Sequence, residues 1–300
     1  MFKNGLNLNL LRIFHACAHF MSFTRASKAL NLTQPGISIH MKALEDYYGA
    51  KLFDRLGKKV ILTQAGEILF KFTNGIFGSL SEVESKIRDL QDLKAGKLSL
   101  GASISIGTYI LPDILAKFRL ICPAIEIHMD LSSSQDILDK VLNNSIELGF
   151  IHHCPKDYPN AEMLTVDAFK EDELVVAVSR RHAWAKKKTS VSVQELAHQT
   201  FLLPGQGSGT RKMIEDILRR KKISLDRCME MGTTGGVKGA VEANLGISIL
   251  SKFVVAREVK LGLIKALPLQ GIDLKRALYF ISHKNRYHSQ ASRAFINLLK

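Results

Sequence analysis

Apolar residues recur at helical spacing in two neighbouring segments near the start of the chain. The first segment covers residues 22–30, and the second begins after the three residues 31–33. Steps of four, three and four place the apolar residues of the second segment on one face of a helix; these residues are Ile37, Met41, Leu44 and Tyr48. The short break between the two segments predicts a helix-turn-helix.

The ends of the second helix also have a sequence signature. Thr33 suits an N-cap, Pro35 falls in the first turn, and Gly49 stops the helix. Hydrogen-bonding side chains occupy the face opposite the apolar one, namely Gln34, Ser38 and Lys42. The major groove of DNA accepts a helix of this kind. The same pattern also fits an ordinary amphipathic helix pair in a larger core, and only the rest of the chain separates the two interpretations.

Two short extended stretches follow the second helix, at residues 51–55 and 58–62, with Gly57 between them. They predict a β-hairpin wing. Arg55, Lys58 and Lys59 lie near its tip. Such a wing can follow the phosphate backbone, where cations supply affinity and register but no sequence reading.

A single long helix is predicted from residue 63 to residue 94, with Thr63 as its N-cap. Its apolar residues follow at steps of three and four; they are Ile68, Leu69, Phe72, Ile76, Phe77, Leu80, Val83, Ile87, Leu90 and Leu93. A stripe of this length predicts a helix pair between two chains. A dimer also matches the way helix-turn-helix proteins read two half-sites. The alternative is that the stripe packs against the second domain of its own chain.

The remainder of the chain alternates extended apolar segments with helical patterns. This alternation favours an α/β architecture with mostly parallel sheets. The predicted strands cover residues 97–103, 125–131, 147–153, 172–179, 201–204, 229–232, 246–251 and 277–283. The predicted helices cover residues 108–122, 134–144, 210–222 and 236–244.

Four turns rich in hydroxyl groups and glycine lie between these elements, at residues 102–108, 132–135, 205–211 and 232–238. Ligands of open α/β sheets bind beyond the carboxyl ends of strands, at helix N-termini. Backbone N–H groups and hydroxyls at such ends suit a small anion or carboxylate. Each turn alone is an ordinary helix cap, but four together favour a shared cleft. None has the spacing of a Walker A or dinucleotide-binding loop, so no cofactor is expected.

His152 and Cys154 would point to the same side of an extended segment, which makes a metal site conceivable. No second pair of ligands lies nearby in the sequence, so no metal is expected, and a polar or packed His152 is the preferred interpretation. The four cysteines are scattered and indicate a reduced, cytoplasmic compartment. No apolar run approaches the length of a membrane span.

Length and charge fit a nucleic-acid-binding protein without proving it. The 300 residues suggest roughly two domains. The chain has 42 Lys+Arg and 28 Asp+Glu, a net charge of +14. Residues 1–62 hold nine cationic and three acidic side chains, a net charge of +6. Two other basic runs, at 180–188 and 219–222, favour solvated loops or a helix end.

Residues 6–66 resemble the winged helix-turn-helix of the LysR-type transcriptional regulators. The likeness rests on LRIFHACAHFMSFTRASKALNLTQPGISIHMKALEDYYGAKLFDR and the following LTQAG. It implies DNA contacts from Thr33, Gln34, Pro35, Ser38, Lys42 and Arg55. The chain departs from the family pattern at Ile39 and Ala43, where a basic residue is common, and at His40, which replaces a frequent Gln.

The same resemblance implies a second domain similar in fold to periplasmic solute-binding proteins. It divides the chain into a DNA-binding domain (1–62), a linker and dimerisation helix (63–94) and an effector-binding domain (95–300). Subdomain I would cover about 97–165 and 268–300, and subdomain II about 166–267. The matching cleft residues are Ser103, Ser105, Ser133, Ser134, His152, Gln206, Ser208, Thr210, Thr233 and Thr234. ASISIG, GSGTR and VKGAVEA resemble the branch that contains sulfur-assimilation and carbon-fixation regulators.

The function expected from these features is a DNA-binding transcriptional regulator that responds to a small effector between two α/β subdomains. Its expected partners are double-stranded DNA, the effector and further copies of the chain, as a dimer through the linker helix or a tetramer. One alternative is a solute-binding protein whose helical head only dimerises. Another is an anion-handling enzyme, which is disfavoured because the cleft candidates include no nucleophile–base pair and no paired carboxylates.

Overall fold

A computed structural model describes residues 6–56, 59–90, 96–206 and 208–299. The chain forms two compact units. The first extends to Glu84 and includes the short segment Asn143–Ser145, and the second contains the remaining residues. No helix among the described residues is long and apolar enough to cross a membrane.

The first unit is a three-helix core with a two-stranded wing and the start of a long helix. Its elements are α1 Leu8–Phe20, α2 Phe23–Leu30, α3 Gln34–Tyr48, β1 Phe53–Leu56, β2 Lys59–Leu62 and α4 Gln64–Leu90. Ile13, Phe14, Cys17, Ile37 and Leu44 are fully buried between the helices. Burial raises the pKa of the Cys17 thiol to about 12, which makes this cysteine an unreactive part of the core.

The ends of the two middle helices confirm the predicted turn. Ser22 caps α2, and Asn31 ends it in a left-handed conformation with φ +53°. The hydroxyl of Thr33 accepts the Gly36 N–H at 3.2 Å, and α3 ends at Gly49 with φ +66°. A positive φ costs glycine little, which explains why the helix stops there.

The wing is held against α3 through one carboxylate. Oε1 of Glu45 accepts the N–H of Leu52 at 2.8 Å and that of Phe53 at 3.4 Å. Strands β1 and β2 then pair antiparallel, from Phe53 opposite Leu62 to Leu56 opposite Lys59. The predicted hairpin is therefore confirmed, whereas Gly57 and Lys58 at its tip lie outside the described residues.

The apolar stripe predicted on the long helix divides into two groups. Leu69 and Phe77 pack against the three-helix core, so they are not part of an exposed stripe. The side chains left exposed are Ile68, Phe72, Ile76, Leu80, Val83 and Ile87. Leu93 and the side chain of Leu90 lie outside the described part of the chain. Tyr48, predicted on the buried face of α3, is 43% exposed, because it lies at the last helical position where α3 leaves the core.

The second unit alternates strands and helices as expected. Its strands are β3 Gly96–Ser103, β4 Ile125–Ser132, β5 Leu148–Ile151, β6 Leu164–Ser179, β7 Thr200–Leu203, β8 Arg227–Glu230, β9 Ser248–Ser251, β10 Ile264–Leu267 and β11 Lys275–His283. Its helices are α5 Ile104–Tyr109, α6 Leu111–Ile121, α7 Ser134–Leu142, α8 Ala183–Lys187, α9 Val193–Ala197, α10 Gly209–Arg220, α11 Thr234–Glu242, α12 Lys252–Lys260 and α13 Gln290–Leu299.

Two long strands join the parallel parts of this unit. Strands β4, β3 and β5 are neighbours and run parallel, as do β7 and β8. Strand β6 pairs antiparallel with β11 along its first half and with β9 and β10 along its second half. The sheets are therefore mixed rather than mostly parallel. Residues 164–171 of β6 were not predicted as a strand, because polar side chains interrupt their alternation.

Candidate DNA-reading and effector sites

The polar face of α3 is exposed to solvent. Gln34, Pro35, Ser38 and Lys42 are all exposed, while Ile37, Met41 and Leu44 on the other side are buried. The hydroxyl of Ser38 donates to the carbonyl oxygen of Gln34 at 3.2 Å, which lies within the same helix. The face is therefore available to a partner, as the sequence predicted.

The positions where the sequence departs from the family pattern lie on the same side of α3. Ile39 is 69% exposed and Ala43 is also exposed, so the surface presents two apolar groups beside its polar ones. An exposed isoleucine can contact the methyl group of thymine. Arg55 lies on β1, but its side chain lies outside the described residues.

The candidate effector residues of the first turns lie at one edge of the parallel sheet. Ser103 ends β3 and pairs with Ser132 at the end of β4, two residues before Ser134. Ala102 pairs with Phe150 on β5, two residues before His152. Because adjacent strands are about 4.8 Å apart, the sheet brings Ser103, Ser134 and His152 into one neighbourhood.

Three polar atoms at this edge are buried and have no hydrogen-bond partner among the described residues. They are Oγ of Ser103, Oγ of Ser134 and Nδ1 of His152. A buried polar group is normally hydrogen-bonded, because leaving it unpaired costs free energy. These unpaired polar atoms make this edge of the sheet a candidate for a ligand site.

His152 lies between Ser105, which follows β3, and the start of α10. Its Nε2 lies 2.8 Å from Oγ of Ser105. A Cβ atom placed on Gly209, the first residue of α10, would lie only 3.2–3.5 Å from Cδ2, Cβ and Cγ of His152. The pKa of His152 is well below its ordinary value because the ring is buried and lies near Arg276 and His153. The imidazole is therefore neutral at neutral pH.

Other predicted cleft residues have their hydroxyls engaged in capping helices. Ser133 Oγ donates to Asp136 Oδ2 at 2.7 Å and accepts the Asp136 N–H. Ser208 Oγ accepts the Arg211 N–H at 3.5 Å, and Thr233 Oγ1 accepts the Gly236 N–H at 3.1 Å. Lone pairs remain for a ligand on these oxygens.

The turn at residues 205–211 meets the turn at 232–238. The Gly205 N–H donates to the Gly232 carbonyl oxygen at 2.9 Å, and a Cβ on Gly205 would lie 2.6 Å from the same oxygen. Glycine is therefore required where the two turns touch. Gln206 is exposed and Thr234 begins α11, whereas Gly207 lies outside the described residues.

A buried ion pair near the start of α10 was not predicted from the sequence. Nε and Nη2 of Arg276 on β11 lie 2.9 and 2.8 Å from Oδ2 of Asp172 on β6. The other carboxylate oxygen accepts the hydroxyl of Ser251 at 2.6 Å, and both Nη atoms lie 3.4–3.5 Å from Oγ1 of Thr210. No local pattern marks this network, because its members come from four distant segments.

Another contact between distant segments joins Tyr109, the last residue of α5, to α11. The ammonium group of Lys238 lies 4.9 Å from the centre of the Tyr109 ring, within the range of a cation–π interaction. The same ammonium group forms a 2.7 Å ion pair with Glu258 on α12. Tyr109 and Lys238 were also absent from the sequence-based candidates.

A metal site at His152 and Cys154 would require an extended backbone over residues 152–154, and the structure has none there. Strand β5 ends at Ile151, and the two histidines that follow lie in a bend. Among the residues described, no group of three or more His, Cys, Asp or Glu side chains could hold a metal ion.

Comparisons with known proteins agree with this architecture. Residues 8–67 match the family model described as bacterial regulatory helix-turn-helix protein, lysR family, and residues 91–300 match the LysR substrate binding domain. The HTH-type transcriptional activator CmpR of Synechocystis sp. is 33% identical over 297 residues, which are 99% of this chain and 95% of the relative.

Two solved structures have the same fold. Full-length CbnR complexed with its target DNA aligns with a TM-score of 0.71 and 20% identity, over 98% of this chain and 99% of that one. The regulatory domain of Synechocystis PCC6803 CcmR in complex with 2-PG aligns with a TM-score of 0.61 and 24% identity, over 68% of this chain and 95% of that one.

Breaking the buried Asp172–Arg276 pair should cost far more stability than breaking the neighbouring exposed pair between Glu171 and Lys275. Asp172→Ala leaves a buried guanidinium unpaired and should lower the free energy of unfolding by about 3–5 kcal/mol. The matched control is Glu171→Ala, because Glu171 pairs with Lys275 at 3.5 Å on the same two strands but in solvent. It should cost about 0–1 kcal/mol. Urea unfolding of both variants measures the difference, and equal losses would contradict the assignment.

Proposed function

The chain belongs to the LysR family of transcriptional regulators, and from this premise we propose how it works. It is a DNA-binding regulator whose second unit responds to a small effector. We propose that Thr33, Gln34, Pro35, Ser38, Lys42 and Arg55 contact the operator, and that the effector lies between two subdomains with the boundaries predicted above. The observation that carries this proposal is the exposed polar face of α3, held by a core that buries the opposite face.

The chemistry of α3 supports sequence reading. An amide such as that of Gln34 can make two hydrogen bonds to adenine in the major groove. Lys42 lies about two turns further along the same face of the helix and suits a phosphate contact, which adds affinity and salt dependence. The wing is tied to α3 through Glu45, so the helix and the wing can engage the DNA as one rigid piece.

The three unpaired polar atoms at the sheet edge support the effector site. Ser103, Ser134 and His152 present neutral groups, and the guanidinium of Arg276 lies at the base of the cleft. Hydroxyls, an imidazole and helix N-termini together suit a small anion or carboxylate. CmpR and CcmR relate the chain to regulators of which one binds 2-PG, and we propose 2-PG as the first compound to test.

We propose that two chains pair through α4. Six exposed apolar side chains follow this helix at steps of three and four, and Phe72 among them is 68% exposed. A continuous apolar stripe on one helix face is typical of a helix–helix interface. A change in the angle between the subdomains could then alter the spacing of the DNA-binding units in a tetramer and the bend of the operator.

We also propose that the chain has no catalytic activity and acts in the cytoplasm, where its DNA partner would be found. Ser105 and His152 form a hydroxyl–imidazole pair that the sequence did not predict, but no described residue bonds Nδ1 to orient the ring as a catalytic base would require. The charge of Arg276 is balanced by Asp172, and the remaining groups are neutral, which favours binding over chemistry. A ligand that is recovered unchanged after incubation with the protein would agree with this proposal.

Gln34→Ala should weaken binding to the specific operator by about 1–3 kcal/mol and leave random DNA nearly unaffected, because only base contacts are lost. Lys42→Ala is the control. It should weaken binding to both kinds of DNA and reduce the slope of log K against log salt concentration by about one. Fluorescence anisotropy over a salt titration measures both variants. An equal loss on both kinds of DNA in Gln34→Ala would show that this residue does not read bases.

Ser103→Ala should abolish the rise in melting temperature that an effector causes by mass action, since a buried hydroxyl at the sheet edge is removed. Ser99→Ala changes the same residue type on the same strand, four positions from that edge, and should keep the full rise. Differential scanning fluorimetry with 2-PG measures both variants. A full rise in Ser103→Ala would remove this residue from the site.

Phe72→Glu should shift the protein from dimer toward monomer, because it places a carboxylate in the middle of the apolar stripe. Lys71→Glu introduces the same group at the adjacent exposed position, off the stripe, and should leave the dimer intact. Sedimentation velocity at several protein concentrations measures the assembly. Unchanged sedimentation of Phe72→Glu would exclude this face as the interface.

A further inference from the structure

The hydroxyl of Ser105 differs from the other hydroxyls at the cleft in what it contacts. Its neighbour is Nε2 of His152 at 2.8 Å, and both side chains are buried. Within the described chain, Nδ1 of the same imidazole has no partner. A neutral imidazole carries one N–H, so the Ser105 contact decides which nitrogen carries the proton.

The two tautomers leave different numbers of buried groups unpaired. If Nε2–H donates to Ser105, the serine proton lacks an acceptor among the described contacts and Nδ1 lacks a donor. If Ser105 donates to Nε2, the serine proton and the lone pair of Nε2 are both satisfied, and only Nδ1–H remains unpaired. The second arrangement has the lower desolvation cost, because a buried polar group without a partner is unfavourable.

The surroundings of the ring supply the remaining evidence. Burial, Arg276 and His153 all lower the pKa of His152, so one N–H is present at neutral pH. Burial, and after it Lys212 and Arg276, also lowers the pKa of the neighbouring His153. The ring of His152 touches the first residue of the twelve-residue helix α10, whose N-terminal N–H groups add a positive potential.

We propose that Ser105 is a positioning residue rather than a ligand contact: its hydroxyl donates to Nε2 of His152 and thereby holds Nδ1–H as a donor to an oxyanion of the effector, a carboxylate or a phosphate. Oγ of Ser103 and Oγ of Ser134, at the ends of the adjacent strands, complete the set of neutral donors. This inference rests on the proposed function, since it assigns the chemical class of the effector at that same site.

The tautomer can be measured without any ligand. In full-length protein carrying ¹⁵N- and ¹³C-labelled histidine, the signals of His152 are assigned by their loss in His152→Asn. The wild-type ring should be protonated at Nδ1, and Ser105→Ala should show both tautomers. Ser105→Thr keeps the hydroxyl and should restore the Nδ1–H form. A wild-type ring protonated at Nε2 would overturn the proposal.

The ligand contact is tested with inorganic phosphate and acetate by isothermal titration calorimetry. The amide nitrogen of His152→Asn takes the place of Nδ1, and that of His152→Gln takes the place of Nε2. Asn should therefore retain phosphate or acetate binding within about threefold, while Gln should lose about tenfold or more, equivalent to one charge-assisted hydrogen bond. Ser105→Ala should lose less than Gln. Melting curves of each variant establish that it is folded.

The outcomes separate this inference from the proposed function. Better binding by His152→Gln than by His152→Asn, or equal losses in both, would overturn the Nδ1 contact. A wild-type protein with Nδ1–H that binds neither phosphate nor acetate would overturn the oxyanion class and leave the positioning role of Ser105 intact. Loss of operator binding in Gln34→Ala bears only on the DNA-binding unit.

Discussion

The effector-binding unit is organised around the buried ion pair between Asp172 and Arg276. The two residues lie on β6 and β11, the long strands that pair antiparallel between the parallel parts of the sheets. Asp172 also accepts the hydroxyl of Ser251 before α12, and Arg276 reaches Thr210 at the start of α10. The pair thus fixes two helix N-termini relative to both strands. Because both charges are buried, a movement that separates them is opposed by the cost of an unpaired charge.

The ion pair also positions the start of α10, which lies beside the ring of His152. Thr210 and Gly209 are held through Arg276, while His152 and Ser105 come from the ends of β5 and β3. The facing surfaces meet at the contact between Gly209 and the His152 ring. An anion placed there would meet hydroxyl, imidazole and backbone donors on both sides.

In the DNA-binding unit, the two faces of a single helix serve different purposes. Residues on one face of α3 build the core, and those on the other face remain free for a partner. Glu45 ties the wing to that helix, and the exposed stripe of α4 presents a second surface suited to another copy of the chain. Reading two half-sites requires both surfaces, because a single helix in one groove contacts only a few base pairs.

The sequence by itself determined the elements whose causes are local. Thr33 and Gly49 bound α3, and most of the strands follow from periodicity, because caps and repeats act over a few residues. The helices α8, α9, α12 and α13 and the strand β10 were not predicted. Family likeness supplied the kind of site and candidate residues such as Ser103 and His152, whose roles remain predictions. Only the tertiary structure decided that Asp172 meets Arg276, that Ser105 bonds His152, and that Leu69 and Phe77 face the core while Phe72 does not. The first two contacts join residues far apart in the chain. The last depends on which face of α4 packs against the core, and no local sequence pattern determines either.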